Sequence, residues 1–94
     1  MSADREFLAD ARREIDALDE ELVALLARRL RIVEGVIAIK REHGIPALLP
    51  ERVEEVVSYV TAQARDVGAP PDLAEILYRE IIAWTIRYEE GKLA

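Results

Sequence analysis

An apolar stripe in the first forty residues constrains the fold more than any other feature of this 94-residue chain. Its members are separated alternately by three and four residues, the spacing with which one helix packs lengthwise on another. The stripe, called the seam below, consists of Leu8, Ala11, Ile15, Leu18, Leu22, Leu25, Arg29, Ile32, Val36 and Ile39. The seam predicts one long helix from about Asp4 to Glu42.

A helix of this length is too long for a small globular domain. About 39 residues with a rise of 1.5 Å each make a rod of roughly 58 Å. A compact chain of this size has a diameter of only about 30 Å. Because a single chain cannot cover the whole seam, we expect the seam to pack on a second copy, which predicts an intertwined homodimer.

Glycine and proline interrupt the chain at two places, residues 43–46 and 68–71. Both segments have Gly followed by Pro, the order typical of a helix end. They predict a second helix over Pro50–Val67 and a third from Pro71 to about Glu90. No segment alternates apolar and polar residues for long enough to form a strand. We therefore expect a single all-α domain over residues 1–94, with one long and two shorter helices.

The composition excludes several classes of function. The net charge of −6, from 19 acidic and 13 basic residues, opposes binding to nucleic acids and anionic membranes. There is no Cys and only one His, which excludes a disulfide scaffold, a thiol nucleophile and an ordinary zinc site. No apolar run reaches the roughly 18 residues of a membrane span, and the acidic N-terminus does not resemble a signal peptide. These features predict a cytoplasmic protein without a metal.

Arg29 interrupts the seam at a position where leucine would pack better. A buried guanidinium is costly unless an anion satisfies it. The anion could be an acidic side chain of the protein, such as Glu55 or Glu80. Alternatively, it could be the carboxylate or phosphate of a ligand.

Three further cations are candidates for the same ligand. Lys40 follows Arg29 by almost three whole turns, so the two side chains project within about 20° and their Cα atoms lie about 16 Å apart. A Lys near a helix C-terminus also compensates the helix dipole, as a simpler explanation. Arg52 lies in the first turn of helix 2, where a cation opposes the dipole. Arg12 lies roughly 42 Å from Lys40 along the rod, so it can reach that site only from the second chain of an antiparallel dimer.

Helix 3 offers two polar candidates. Thr85 and Glu89 lie one turn apart on a face that also carries Tyr78, Ile81 and Ile82. In the simpler interpretation, the Thr hydroxyl bonds its own helix backbone and Glu89 is solvated near the helix end. In the functional interpretation, both side chains face a ligand.

The pattern of these residues resembles the all-helical chorismate mutases. The first helix of that family is similar to residues 12–22 and 25–29 of this chain. The resemblance continues through Lys40, the short Gly-Ile-Pro loop, the Pro50-Glu51-Arg52 helix start, and Ile81, Ile82, Thr85 and Glu89 on helix 3. It covers nearly the whole chain without a gap.

The resemblance implies a substrate site shared between two interlocked chains. Arg12 would bind one carboxylate of a small dicarboxylate substrate across the dimer interface, and Arg29 would bind the other carboxylate. Arg52 would add positive charge to the wall of the site. Thr85 would place a hydroxyl near the substrate.

The implied reaction is the Claisen rearrangement of chorismate to prephenate in aromatic amino acid biosynthesis, with no covalent intermediate and no cofactor. Such a site holds the substrate in its reactive conformer and stabilises negative charge on the ether oxygen as the C–O bond stretches. Lys40 would donate to the ether oxygen and a carboxylate, and Glu89 would also donate to the ether oxygen. Glu89 can donate only when protonated, so burial would have to favour its neutral form.

Leu49 and Val53 depart from the chorismate mutase pattern. The family usually has acidic residues at both positions, and the Glu replaced by Val53 ordinarily accepts a hydrogen bond from the ring hydroxyl of chorismate. Its loss would remove about 0.5–1.5 kcal/mol of net binding. Isochorismate-pyruvate lyases and 4-amino-4-deoxychorismate mutases resemble the chain here, so both stay alternative functions. A non-catalytic helical dimer with a regulatory or binding role is an alternative of another class.

Overall fold

The computed structural model describes residues 2–94, and every regular element within them is a helix. The three helices are α1 over Ala3–His43, α2 over Pro50–Val67 and α3 over Pro71–Leu93. The predicted all-α fold with one long and two shorter helices is confirmed. The bounds of α2 agree with the prediction, whereas α3 continues about one turn further than expected.

Glycines end α1 and α2 because both chain reversals require left-handed backbone. Gly44 has φ of 65° and Gly68 has φ of 80°. The N–H of Ile45 then donates to the carbonyl of Lys40 at 2.9 Å, and the N–H of Ala69 donates to the carbonyl of Ala64 at 2.8 Å. These bonds satisfy carbonyls that have no partner within the helix. The first reversal therefore places Lys40 in the last turn of α1.

Residues 35–94 form a compact unit in which α2 packs against α3. Its core contains small and branched apolar side chains from each of its segments. The buried apolar residues are Ile37, Ala47, Val57, Val60, Ala64 and Ile82. Ala47 belongs to the loop between α1 and α2, so this loop is part of the core as well as a connection.

An ion pair also joins α2 to α3. The guanidinium of Arg79 donates to both carboxylate oxygens of Glu54 at 3.0 Å and to Glu75 at 3.0 Å. Its hydrogen bonds hold the pKa of Glu54 below the usual value, so the pair stays charged at neutral pH and loses its contribution as the pH falls through that lowered value. All three side chains are well exposed to water, which makes the stabilisation small.

The other compact unit ends at Glu34 and contains most of α1. The large apolar side chains of its seam are 45–71% exposed. They are Leu8, Ile15, Leu18, Leu22, Leu25 and Ile32. An exposed apolar stripe of this length is typical of a protein interaction surface.

Candidate functional site

A buried ion pair between α1 and α3 is the centre of the candidate site. The Nζ of Lys40 donates to Oε1 of Glu89 at 2.7 Å. The two side chains are only 11% and 7% exposed. The expectation that Glu89 is solvated near its helix end is therefore wrong, because the last turns of α3 pack it against α1. Removing two opposite charges from water is unfavourable, so such a pair is weak evidence for stability and better evidence for a specific role.

The loop between α1 and α2 supplies a second acceptor for the Lys40 ammonium. The main-chain carbonyl of Ala47 accepts a hydrogen bond from Nζ at 2.9 Å. Ala47 is buried, and the glycine turn at Gly44 brings the loop back over the end of α1. The ammonium is thus held in a fixed direction from two sides. Sequence reasoning missed this acceptor because a backbone carbonyl leaves no signal in residue type.

Thr85 lies one turn before Glu89 and is also buried. Its hydroxyl donates to the main-chain carbonyl of Ile81 at 2.7 Å. The simpler interpretation of Thr85, a bond to its own helix, is therefore confirmed. This bond leaves the lone pairs of the hydroxyl oxygen as acceptors, so the contact does not exclude a role near a ligand. Lys40, Thr85 and Glu89 are the predicted site residues that lie together on these buried faces.

The beginning of α2 presents the remaining candidates of this unit. Arg52 is largely exposed and donates to Glu55 one turn later. Leu49 precedes α2 and is partly exposed, and its carbonyl accepts the N–H of Val53 at 3.1 Å. Val53 is partly buried. The beginning of α2 therefore has apolar side chains at both of these positions.

Arg12 and Arg29 belong to the other compact unit, and their roles stay predictions. Arg12 is exposed and donates to Asp4 at 3.2 Å. Hydrogen bonds from Ser2 and Arg12 hold the pKa of Asp4 below its usual value. Arg29 is partly buried in the seam.

The chemistry available at this site is hydrogen bonding and electrostatics. No group of three or more His, Cys, Asp or Glu side chains in residues 2–94 is arranged to hold a metal ion. None of the helices described there has the length and apolarity needed to cross a membrane. A rigidly held ammonium next to a carboxyl group can donate to an oxygen that gains negative charge during a reaction.

Residues 11–90 match the chorismate mutase type II family, and the chain belongs to that family. The match contains the whole of α2, most of α1 and α3, and the candidate residues from Arg12 to Glu89. It confirms the family that the sequence pattern indicates.

Three curated relatives illustrate the range of this similarity. The chain is 39% identical to the T-protein of Haemophilus influenzae over 77 residues. These residues make up 82% of this chain and 20% of the relative. It is 33% identical over 88 residues to the bifunctional chorismate mutase/prephenate dehydratase of Aquifex aeolicus, covering 90% of this chain and 24% of the relative. It is 32% identical over 83 residues to the 4-amino-4-deoxychorismate mutase of Streptomyces pristinaespiralis, covering 88% of this chain and 64% of the relative. The chain thus spans about a fifth of the length of the T-protein and about a quarter of the length of the Aquifex aeolicus relative.

Proposed function

We propose that this chain is a chorismate mutase, an isomerase that converts chorismate to prephenate. The observation that carries the proposal is the buried contact between Lys40 and Glu89 inside the segment that matches the family. The similarity to the bifunctional chorismate mutase/prephenate dehydratase of Aquifex aeolicus supports the same reaction. The composition favours the cytoplasm as its location, and the rearrangement requires no cofactor.

In the proposed mechanism, the protein stabilises the reacting conformer and the charge that develops on it. Lys40 donates to the ether oxygen and to one carboxylate of chorismate, for which it gives up a bond to Glu89 or Ala47. Arg29 binds the other carboxylate of chorismate, and Arg52 adds positive charge to the wall of the substrate site. Because these groups are already oriented before the C–O bond stretches, little reorganisation is needed during the reaction.

Glu89 is placed to act on the same oxygen beside Lys40. Without substrate, its carboxylate accepts a hydrogen bond from the Lys40 ammonium. A carboxyl group donates to an ether oxygen only in its acid form, whereas a glutamine amide at the same position always carries N–H donors.

We further propose that the active enzyme is a homodimer with two shared sites. The exposed seam of α1 offers an apolar surface for a second copy. Arg12 lies far along α1 from Lys40, so it would serve the site of the second copy. This arrangement would complete each site with one cation from the neighbouring chain.

Leu49 and Val53 favour a second candidate function. With no acidic side chain at either position, the ring hydroxyl of chorismate lacks its usual acceptor. The similarity to the 4-amino-4-deoxychorismate mutase of Streptomyces pristinaespiralis makes 4-amino-4-deoxychorismate the first alternative substrate. Isochorismate lysis is the second, and a non-catalytic dimer is the alternative outside enzymes.

The proposed function is tested by chorismate turnover in the wild type, in Glu89→Gln and in Glu89→Ala. Glu89→Gln is expected to retain turnover, because its amide N–H donates to the ether oxygen. Glu89→Ala is expected to lose about a hundredfold in kcat/KM, because it supplies no donor. The measurement is the initial rate of chorismate consumption at neutral pH.

Glu90→Gln is the matched control, since Glu90 is the exposed neighbour of Glu89 on the same helix. Its kcat/KM is expected to equal that of the wild type. A fully active Glu89→Ala variant would contradict the assigned role of Glu89. No turnover by the wild type would contradict the proposed function itself.

A further inference from the structure

A second contact between α1 and α3 lies directly beside the pair of Lys40 and Glu89. The Nη2 of Arg41 donates to the main-chain carbonyl of Lys92 at 2.9 Å. Lys40 and Arg41 are consecutive residues on α1, and Glu89 and Lys92 are three residues apart on α3. Two neighbouring side chains of α1 therefore hold the last turn of α3 at two points.

The carbonyl of Lys92 is held by a side chain of another helix. The N–H of Ala94 donates to the carbonyl of Glu90 at 3.0 Å, whereas Arg41 donates to the carbonyl of Lys92. The backbone of α3 is thus bonded directly to α1 at this point.

Gly91 makes the last turn of α3 intrinsically weak. Glycine loses more backbone freedom than other residues when a helix forms. A Cβ at Gly91 would meet nothing within 4 Å, so packing does not require glycine there. The turn that follows Glu89 is thus less stable than one with alanine at residue 91, and a contact from another element helps to hold it.

We propose that Arg41 is a positioning residue that holds the end of α3 so that Glu89 meets Lys40. The proposal rests on the proposed function for its effect on catalysis. Arg41 acts through the backbone of α3 and not on the substrate. Its loss leaves Lys40 and Glu89 in the protein but broadens the range of positions that Glu89 adopts.

The test is steady-state turnover of chorismate by Arg41→Met, alone and combined with Glu89→Ala. In the otherwise wild-type chain, kcat is expected to fall roughly tenfold because Glu89 is misplaced. In the Glu89→Ala background, Arg41→Met is expected to have no further effect. An equal fall in both backgrounds, or no fall in either, would overturn the proposal.

Gly91→Ala provides an independent rescue. Alanine stiffens the last turn without touching Arg41 or the substrate, so Arg41→Met/Gly91→Ala is expected to recover most of the lost kcat. Failure of this rescue would count against a positioning role. Arg87→Met, which removes another exposed arginine on α3, is the matched control and is expected to turn over like the wild type.

Amide hydrogen exchange separates this proposal from the proposed function. Arg41→Met is expected to speed exchange in residues 89–93, and Gly91→Ala is expected to reverse that change. If the wild type shows no turnover while exchange responds as expected, the proposed function fails and the structural role of Arg41 stands. If exchange in this segment does not change, the positioning role is wrong whatever the activity.

Discussion

Lys40→Met is expected to lower kcat/KM for chorismate by at least about a hundredfold, because it removes the donor aimed at the developing oxyanion. Methionine retains most of the length of the side chain, so the loss reports on the charge and its hydrogen bonds more than on packing. The measurement is initial-rate kinetics at neutral pH. Arg31→Met, which removes an exposed cation from the same helix, is expected to leave the rate unchanged.

The stability of the Lys40 variants separates catalysis from folding. Lys40→Met leaves the carboxylate of Glu89 buried without its partner, which costs about 3–5 kcal/mol if the charge persists. Lys40→Met/Glu89→Gln removes both charges and is expected to recover most of the unfolding free energy without recovering activity. If the double variant regained turnover along with stability, Lys40 would be a structural residue and the mechanism would be wrong.

Mixing two inactive variants is expected to restore activity, because each proposed site takes Arg29 from one chain and Arg12 from the other. Arg12→Ala and Arg29→Ala should each lose roughly thirtyfold or more in kcat/KM, the effect of removing one partner of a desolvated charge pair. A mixed dimer contains one site with both arginines intact. Random mixing of equal amounts should therefore recover about a quarter of the wild-type activity.

The mixing experiment requires the chains to exchange, so the two variants are unfolded and refolded together. Each variant refolded alone is the control and should remain inactive, and sedimentation should give twice the mass of one chain. No recovery in the mixture would contradict the shared site. If Arg29→Ala lowered only the melting temperature and kept its turnover, Arg29 would serve an internal salt bridge instead.

The helices were predictable because their signals are local. Proline at the start of α2 and glycine at its end define Pro50–Val67, and the structure has the same bounds. The end of α3 was not predictable in this way. Gly91 is typical of a helix end, yet α3 continues past it. The carbonyl of Lys92, the next residue, accepts a hydrogen bond from Arg41, which is distant in sequence.

The site was predictable only in part. Lys40 and Glu89 were both candidates by residue type and position, but their direct contact depends on how the ends of α1 and α3 pack. The carbonyl of Ala47 carries no signal in the sequence, since any residue could supply it. The roles of Arg12 and Arg29 stay predictions, because the proposed shared site requires a second copy of the chain.

The most direct test of the central claim is an NMR assay of the products formed from chorismate, isochorismate and 4-amino-4-deoxychorismate, each incubated separately with the wild-type chain. We predict that chorismate is converted to prephenate, with the other two substrates turned over more slowly or not at all. Conversion of only one of the other substrates would contradict chorismate as the substrate and make Leu49 and Val53 the specificity residues. No product from any of the three would contradict catalysis and favour a helical dimer that only binds.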